Sequence, residues 1–385
     1  MDYFQVADLF SGCGGFSQGF QSAGGFSIKY AADNNSGAME IYKLNNKADE
    51  YDLIDLSLKE NCQNIIKKLK NNVDVLVGGP PCQGFSTLGK RRDEDYRSTL
   101  VDVYADIALQ VQPKIIVMEN VRGITSKKHP HGGTYLDSFY RKIQFSKINT
   151  LKSYQVSHKE VFALDFGMAQ TRRRVFTIAI REDLVTKGNE LNIVWDHLNS
   201  QKEDFSPCLK DVIGDLENDP PVFDRKMDTN SNRNNGHISM NHSEVLKNRL
   251  SYVPVDGGLI DVPKELLNEH LKKMIDGKYG SGGHIKNIYG RLNWEGKVGT
   301  VVAGMDKITC GRFVHPESNR LLTPRECARL QSFPDEFILR GSQVSRYYSI
   351  GNAVPPKLSK VIAKSIYAFL INKLGQRSYI SQLAA

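Results

Sequence analysis

Five apolar runs alternate with helical stretches in the first half of the chain, and four of them end in a polar or glycine-rich cluster. The runs are residues 4–9 (FQVADL), 27–32 (SIKYAA), 73–77 (VDVLV), 115–118 (IIVM) and 174–180 (RVFTIAI). Residues 36–45, 57–70, 98–111 and 135–148 read as helices between them. Near-continuous apolar strands separated by helices predict an α/β fold: a mostly parallel sheet with helices on both faces. Ligands of such sheets sit beyond the carboxyl ends of the strands, so clusters far apart in sequence are expected to converge.

The pattern changes after about residue 190. Residues 230–244 carry five asparagines without apolar periodicity, and residues 276–304 are rich in glycine, aromatic and basic residues. A smaller, loop-rich domain on short strands is expected there. The expected division is 1–190 with 336–385 as one domain and 191–335 as the other. Residues 323–333 read as a helix with a threonine N-cap, proline at its first position and glutamate at its third. Residues 355–374 read as a final helix.

Composition narrows the function classes. The 385 residues are 40% hydrophobic and 24% charged, an ordinary globular balance. No apolar run approaches the roughly 18 residues of a membrane helix. MDYFQVADLF shows no signal-peptide pattern. Six cysteines (13, 62, 82, 208, 310 and 327) include no CxxC pair, which argues against a structural zinc site and for a reduced, cytoplasmic protein. A net charge of +8 suggests a polyanionic partner.

The four clusters carry the chemistry. In DLFSGCGGFSQGF (8–20), Gly12, Gly14 and Gly15 let the backbone turn tightly and approach a ligand, but the spacing is not GxGxxG. Asp33 ends the next strand, where a carboxylate can accept both ribose hydroxyls of a nucleoside, and Asp55 follows in a turn. In GGPPCQGFS (78–86), Pro80 and Pro81 fix the backbone before Cys82, as a nucleophilic thiol requires. Lys90, Arg91 and Arg92 follow in a polar stretch that reads as a lid or as a solvated charge run. In MENVRG (118–123), Glu119 is placed as a proton donor at the same edge, or as the partner of an arginine. In QTRRRVF (170–176), Arg172 and Arg174 are two apart and would share one strand face. Each cluster alone also fits an ordinary turn, ion pair or buried cysteine.

Taken in order, DLFSGCGGF, Asp33, Asp55, GGPPCQGFS, EDYRSTL (94–100), ENV (119–121), QTRRR (170–174), RLLTPRECARLQSFPD (320–335) and GNAVPP (351–356) resemble the bacterial C5-cytosine DNA methyltransferases that use S-adenosylmethionine (SAM). The resemblance implies a Rossmann-like SAM-dependent methyltransferase domain and a target-recognition domain. It implies that Phe10, Ser11, Gly12, Cys13, Gly14 and Gly15 face the cofactor, with Asp33 and Asn34 near its ribose and adenine. Asp55 and Leu56 would hold the adenine. Pro80, Leu100, Asn352 and Ala353 would also lie near the cofactor. Cys82 matches the nucleophile, Glu119 the group at cytosine N3, and Arg172 and Arg174 the arginines around base and thiol. Gln83, Ser86, Lys90, Arg91, Arg97, Arg291 and Arg312 are the expected DNA contacts, with His237, His242 and Trp294 as further candidates. Duplex DNA is the expected partner, of a monomer whose cognate endonuclease would be encoded separately. No metal is expected. Two positions depart from the family pattern: Asp33 replaces the usual glutamate, and Ser349 stands where glutamine is common. A tRNA cytosine-C5 methyltransferase, a catalytically silent DNA-binding module and an NAD-dependent dehydrogenase are the alternatives.

Overall fold

The structure is a computed structural model that describes residues 3–81, 100–145, 150–224, 233–276 and 287–383, with residues 233, 234 and 374–383 in backbone only. Among the described residues, seven strands form one sheet: β1 (Phe4–Leu9), β2 (Phe26–Asp33), β3 (Ala48–Leu53), β4 (Val75–Gly78), β5 (Ile115–Asn120), β6 (Tyr154–Phe162) and β7 (Arg173–Arg181). Their spatial order is β3-β2-β1-β4-β5-β7-β6. The first five are parallel, and β7 runs antiparallel to both β5 and β6.

Contacts divide the chain into two units. The first holds residues 1–162, 173–202 and 354–385. It contains the sheet with α1 (Gly15–Ala23), α2 (Ser36–Asn45), α3 (Lys59–Leu69), α4 (Leu100–Val111), α5 (Tyr135–Gln144), α6 (Glu190–Asn199) and the last helix, Pro356–Leu383. Every residue of β4 and β5 is buried, as expected of strands covered on both faces. One face packs Ala7, Leu9, Leu76, Ile116 and Met118 against α3, α4 and α5. The other meets α1 through the edge of Phe176 on Phe16 and α2 through Ala31 on Met39 and Tyr42.

The second unit holds residues 163–172 and 203–353. It contains α7 (Leu209–Ile213), α8 (Glu244–Ser251), α9 (Glu269–Ile275), α10 (Pro324–Leu330) and α11 (Gln343–Asn352). Among the described residues, the short strands expected here are isolated bridges, such as Gln170 with Val298 and Arg291 with Val314. The α10 start is as expected: Thr323 accepts from the Glu326 N–H, and Glu326 accepts from the Thr323 N–H.

The contact grouping places its borders elsewhere than at 190 and 335. Residues 191–202 join the sheet unit because Trp195 is buried there and Gln201 donates to Val361 O and Ser365 Oγ on the final helix. Residues 336–353 join the second unit, where Arg325 donates to Phe337 O and Tyr347 donates to Leu322 O. The final helix, numbered α12 in chain order, lies against α1 at very short range. A Cβ on Gly19 would stand 2.3 Å from that of Ser359, and one on Gly15 2.0 Å from Val354 O.

Candidate active site

The strand order reverses between β1 and β4, so a crevice opens beyond their carboxyl ends. The loop after β1 turns with Phe10 at φ 58° and Gly12 at φ 54°, both left-handed. Asp33 holds that turn: Oδ2 accepts from Gly12 N at 2.8 Å, and Oδ1 accepts from Asn35 N at 2.8 Å. Burial pushes the Asp33 carboxyl above its ordinary range, against the pull of these N–H donors. Among the described residues, a Cβ on Gly12 would meet nothing within 4 Å, so no described atom covers the turn there. The Asn34 N–H also favours the carboxylate, and the side chain is only half-buried. A nucleoside cofactor fits this arrangement.

The other loop residues divide by task. A Cβ on Gly14 would stand 2.1 Å from Asn46 Nδ2, and one on Gly15 2.0 Å from Val354 O, so close packing requires glycine at both. The Cys13 side chain is fully buried, and burial pushes its thiol up to about 12. Ser11 Oγ turns onto Met39 Sδ. Asn34 is exposed, while Leu56 and Leu100 are buried in the core. Asp55 accepts from Ser57 N and, through its backbone carbonyl, from Asn61 Nδ2. Phe10 packs edge-on to Tyr104 at 6.4 Å.

The second wall is built from the ends of β4 and β5. Asn120 Nδ2 donates to Pro80 O at 3.2 Å, tying the two loops together. Glu119 is 8% exposed and ion-pairs through Oε1 with Arg174 Nε at 3.0 Å. Its other oxygen, Oε2, would be 3.7 Å from a Cβ on Gly79. Glycine there keeps the approach to Oε2 clear. Arg174 thus orients the acid, with its Nη1 donating to Arg173 O. Gly79 and Asn120 were not singled out in the sequence; their place beside Pro80 and Glu119 was the available signal. Cys82, Gln83, Ser86, Lys90, Arg91 and Arg97 lie outside the described residues.

In the second unit Arg172 is 2% exposed and donates to Val301 O and Ala353 O. It fixes the GNAVPP backbone, which corrects its expected role at the base and thiol. Gln170 completes this brace, accepting from Val301 N and donating to Leu330 O. Asn352 is exposed and Ala353 buried. A Cβ on Gly351 would stand 2.2 Å from Ala303 N, so glycine is required by close packing. Ser349 is buried.

Of the expected DNA contacts in the second unit, Arg291 is corrected as well. Arg291 is 5% exposed and donates to Val253 O, His315 O, Ser318 O, Leu250 O and Asn319 Oδ1. Arg312 Nη1 donates to Gly257 O and Arg291 O. Arg291, buried with its donors engaged inside the protein, is a scaffold residue, while Arg312 is half-buried. His237 bridges Thr323 Oγ1 and Glu217 O, His242 accepts from Leu321 N, and Trp294 donates to Glu317.

The sheet order and the glycine turn after β1 are those of a Rossmann-like methyltransferase fold. A model of the C-5 cytosine-specific DNA methylase family matches residues 4–368, and the chain belongs to that family. It is 30% identical to the type II methyltransferase M.DdeI of Desulfomicrobium norvegicum, over 98% of this chain and 95% of that protein. It is 30% identical to M.AgeI of Thalassovita gelatinovora, over 94% of this chain and 99% of that one. Among solved structures, a prophage-encoded E. coli protein assigned as a DNA modification methyltransferase superposes with TM-score 0.67 at 23% identity, covering 95% of this chain and 99% of that one. S. pombe Dnmt2 superposes with TM-score 0.60 at 17% identity, covering 97% and 99%. These two likenesses show the fold. Among the described residues no helix is long and apolar enough to cross a membrane.

Proposed function

We propose that this DNA cytosine-5-methyltransferase modifies one cytosine within a specific duplex sequence, using SAM and a covalent Cys82–C6 adduct. The observation that carries the reading is Glu119, buried at the ligand edge, oriented by Arg174 and open beside Gly79. Bound at the Gly12–Asp33 turn, SAM would supply an electrophilic sulfonium methyl group. Phe10, Asp55, Leu56, Pro80 and Leu100 would line that site.

Cytosine C5 is a weak nucleophile until electrons are pushed into the ring. The Cys82 thiolate adds to C6, and Glu119 hydrogen-bonds or protonates N3, so that electron density collects at C5. After methyl transfer a base removes the C5 proton and the C6–S bond breaks, returning the thiolate. The target base is stacked in duplex DNA and must be flipped out, at a cost of a few kcal/mol. Lys90, Arg91 and Arg97 are proposed to hold the backbone during this excursion. The protein would act as a cytoplasmic monomer, with any cognate endonuclease encoded separately.

The test is a duplex in which 5-fluorocytosine replaces the target cytosine. Without a removable C5 proton, a SAM-dependent adduct is expected on Cys82, stable in denaturing gels and located by peptide mass spectrometry. Cys82→Ala should form none. A freely dissociating product would overturn the covalent route, and methyl transfer to tRNA but not to duplex DNA would overturn the substrate.

A further inference from the structure

The chain between β5 and α5 forms a braced hairpin that the proposed chemistry leaves unused. A short 3-10 turn, Arg122–Thr125, is anchored by buried Ile124. Beyond it Lys128 pairs with Thr134 in an antiparallel bridge, His129 N donates to Gly133 O, and Gly132 N donates to His129 O. Tyr135 N donates to Lys127 O, closing the base. Gly132 and Gly133 take φ of 89° and 73°, as the turn requires.

His129 pins this hairpin to α4. Its Nδ1 accepts from the His131 backbone N–H at 3.1 Å, so the proton sits on Nε2, which donates to Asp102 Oδ2 at 2.8 Å. Ser138 Oγ donates to the other Asp102 oxygen at 2.7 Å. The serine, aspartate and histidine resemble a hydrolytic set, but both ring nitrogens are committed and no base is available. Arg141 Nη2 donates to Gly132 O at the tip. Asp137 caps α5 through Thr134 and also faces Lys128, and Glu160 pairs with Arg122 and Arg173.

What this brace holds out is positive. Lys128 and His131 are exposed, and half-buried Lys127 lies over the Tyr135 ring at 5.8 Å. The hairpin leaves the carboxyl end of β5, the same sheet edge as Glu119. Lysines on a pre-ordered hairpin lose less entropy on meeting a polyanion than lysines on a loose loop.

We propose that the Lys127–Thr134 hairpin is a DNA-backbone contact, with Lys127 and Lys128 each neutralising a phosphate of the duplex near the extruded base. The proposal rests on the reading that duplex DNA is the substrate. Phosphate contacts fix register without reading sequence. Each one lost lowers the salt slope of binding by about 0.9.

The test is fluorescence anisotropy of the full chain on a short labelled duplex across a salt titration. Lys127→Ala with Lys128→Ala should lower the slope by about two. Lys127→Arg with Lys128→Arg should restore it. The control is Lys67→Ala with Lys70→Ala, exposed lysines at the far end of α3, on the opposite edge of the sheet. It removes the same charge and should keep the wild-type slope. Equal slopes for the two alanine doubles, or no change in the hairpin double, would overturn the proposal while leaving the DNA reading intact. Failure of the wild-type chain to bind duplex DNA would remove both.

Discussion

Polar side chains in the two units are used in opposite ways. In the sheet unit, the groups at the ligand edge keep capacity to spare. Asp33 is half-exposed and meets only backbone N–H groups, and Glu119 Oε2 looks past a glycine. In the second unit the conspicuous cations are spent. Arg291 meets five acceptors. Arg325 donates to Asn235 O, Pro334 O and Phe337 O. Arg320 grips Glu326 with both Nη atoms. Burial would raise Glu326, but the Arg320 pair outweighs it and holds the carboxyl below its ordinary range. The +8 net charge is therefore no map of the DNA surface. A loop-rich unit with little sheet must satisfy its carbonyls somehow, and buried guanidiniums with several donors do so.

The contrast breaks most visibly at Arg291. Arg291→Met keeps much of the side-chain volume but strands the four carbonyls and the Asn319 amide oxygen. Losing a buried, multiply bonded charge typically costs about 3–5 kcal/mol. The two tryptophans report separately, Trp195 from the sheet unit and Trp294 from the second. In a Trp195→Phe background, urea unfolding followed at Trp294 should shift to markedly lower denaturant in Arg291→Met. SAM affinity at moderate temperature should hold. A variant as stable as its parent but weak on DNA would return Arg291 to the DNA surface.

A smaller effect is expected beneath the Gly12 turn. Asp8 is fully buried, and burial pushes its carboxyl up to about 7, although Ser17 hydrogen bonds pull it down. Its ordinary value is 3.8, so the folded state holds the proton more tightly than the unfolded state. The stability this contributes is present below about pH 4 and is lost as pH rises through 7. The loss is on the order of 2–4 kcal/mol. Asp8→Asn can still accept from Ser17 Oγ, so its stability should stay flat where the wild type falls. Urea midpoints at pH 5 and pH 8, followed at Trp195, measure the difference. Parallel profiles for the two proteins would show that Asp8 is ionised in the folded state throughout.

The sequence pattern disclosed the parallel centre of the sheet because β1, β4 and β5 are almost wholly apolar. It did not disclose β3, an edge strand reading ADEYDL. That strand's acids are matched by Lys29 and Lys68 from neighbouring elements, and such pairing is invisible until the sheet exists. Nor did it disclose β6, or the reversed direction of β7, since apolar residues specify burial and not strand polarity. The placement of Asp33, Glu119 and Arg174 at strand ends was legible because each stands in a polar cluster that closes or opens an apolar run. Arg172 and Arg291 were misread for one reason. Their acceptors come from residues up to 181 positions away, so nothing local distinguishes a scaffold guanidinium from an exposed one.

Asp33 gives the finest test of the contrast. An asparagine there offers one carbonyl oxygen and one NH₂ to two backbone N–H donors, so either Gly12 N or Asn35 N faces a donor. A mismatch of this kind costs about 1–2 kcal/mol. Part of the cost relaxes by loosening the Gly12 turn, whose left-handed φ depends on being held. SAM affinity by calorimetry should fall about tenfold, which is about 1.4 kcal/mol, while the urea midpoint read at Trp294 stays put. Asp33→Glu restores both acceptors one methylene further out and should recover part of the loss. The two lesions then separate cleanly: Arg291→Met costs fold and spares cofactor, and Asp33→Asn does the reverse. Equal loss of stability in both would mean that Asp33, too, is only scaffold, and that the Gly12 turn is not where the cofactor's ribose lies.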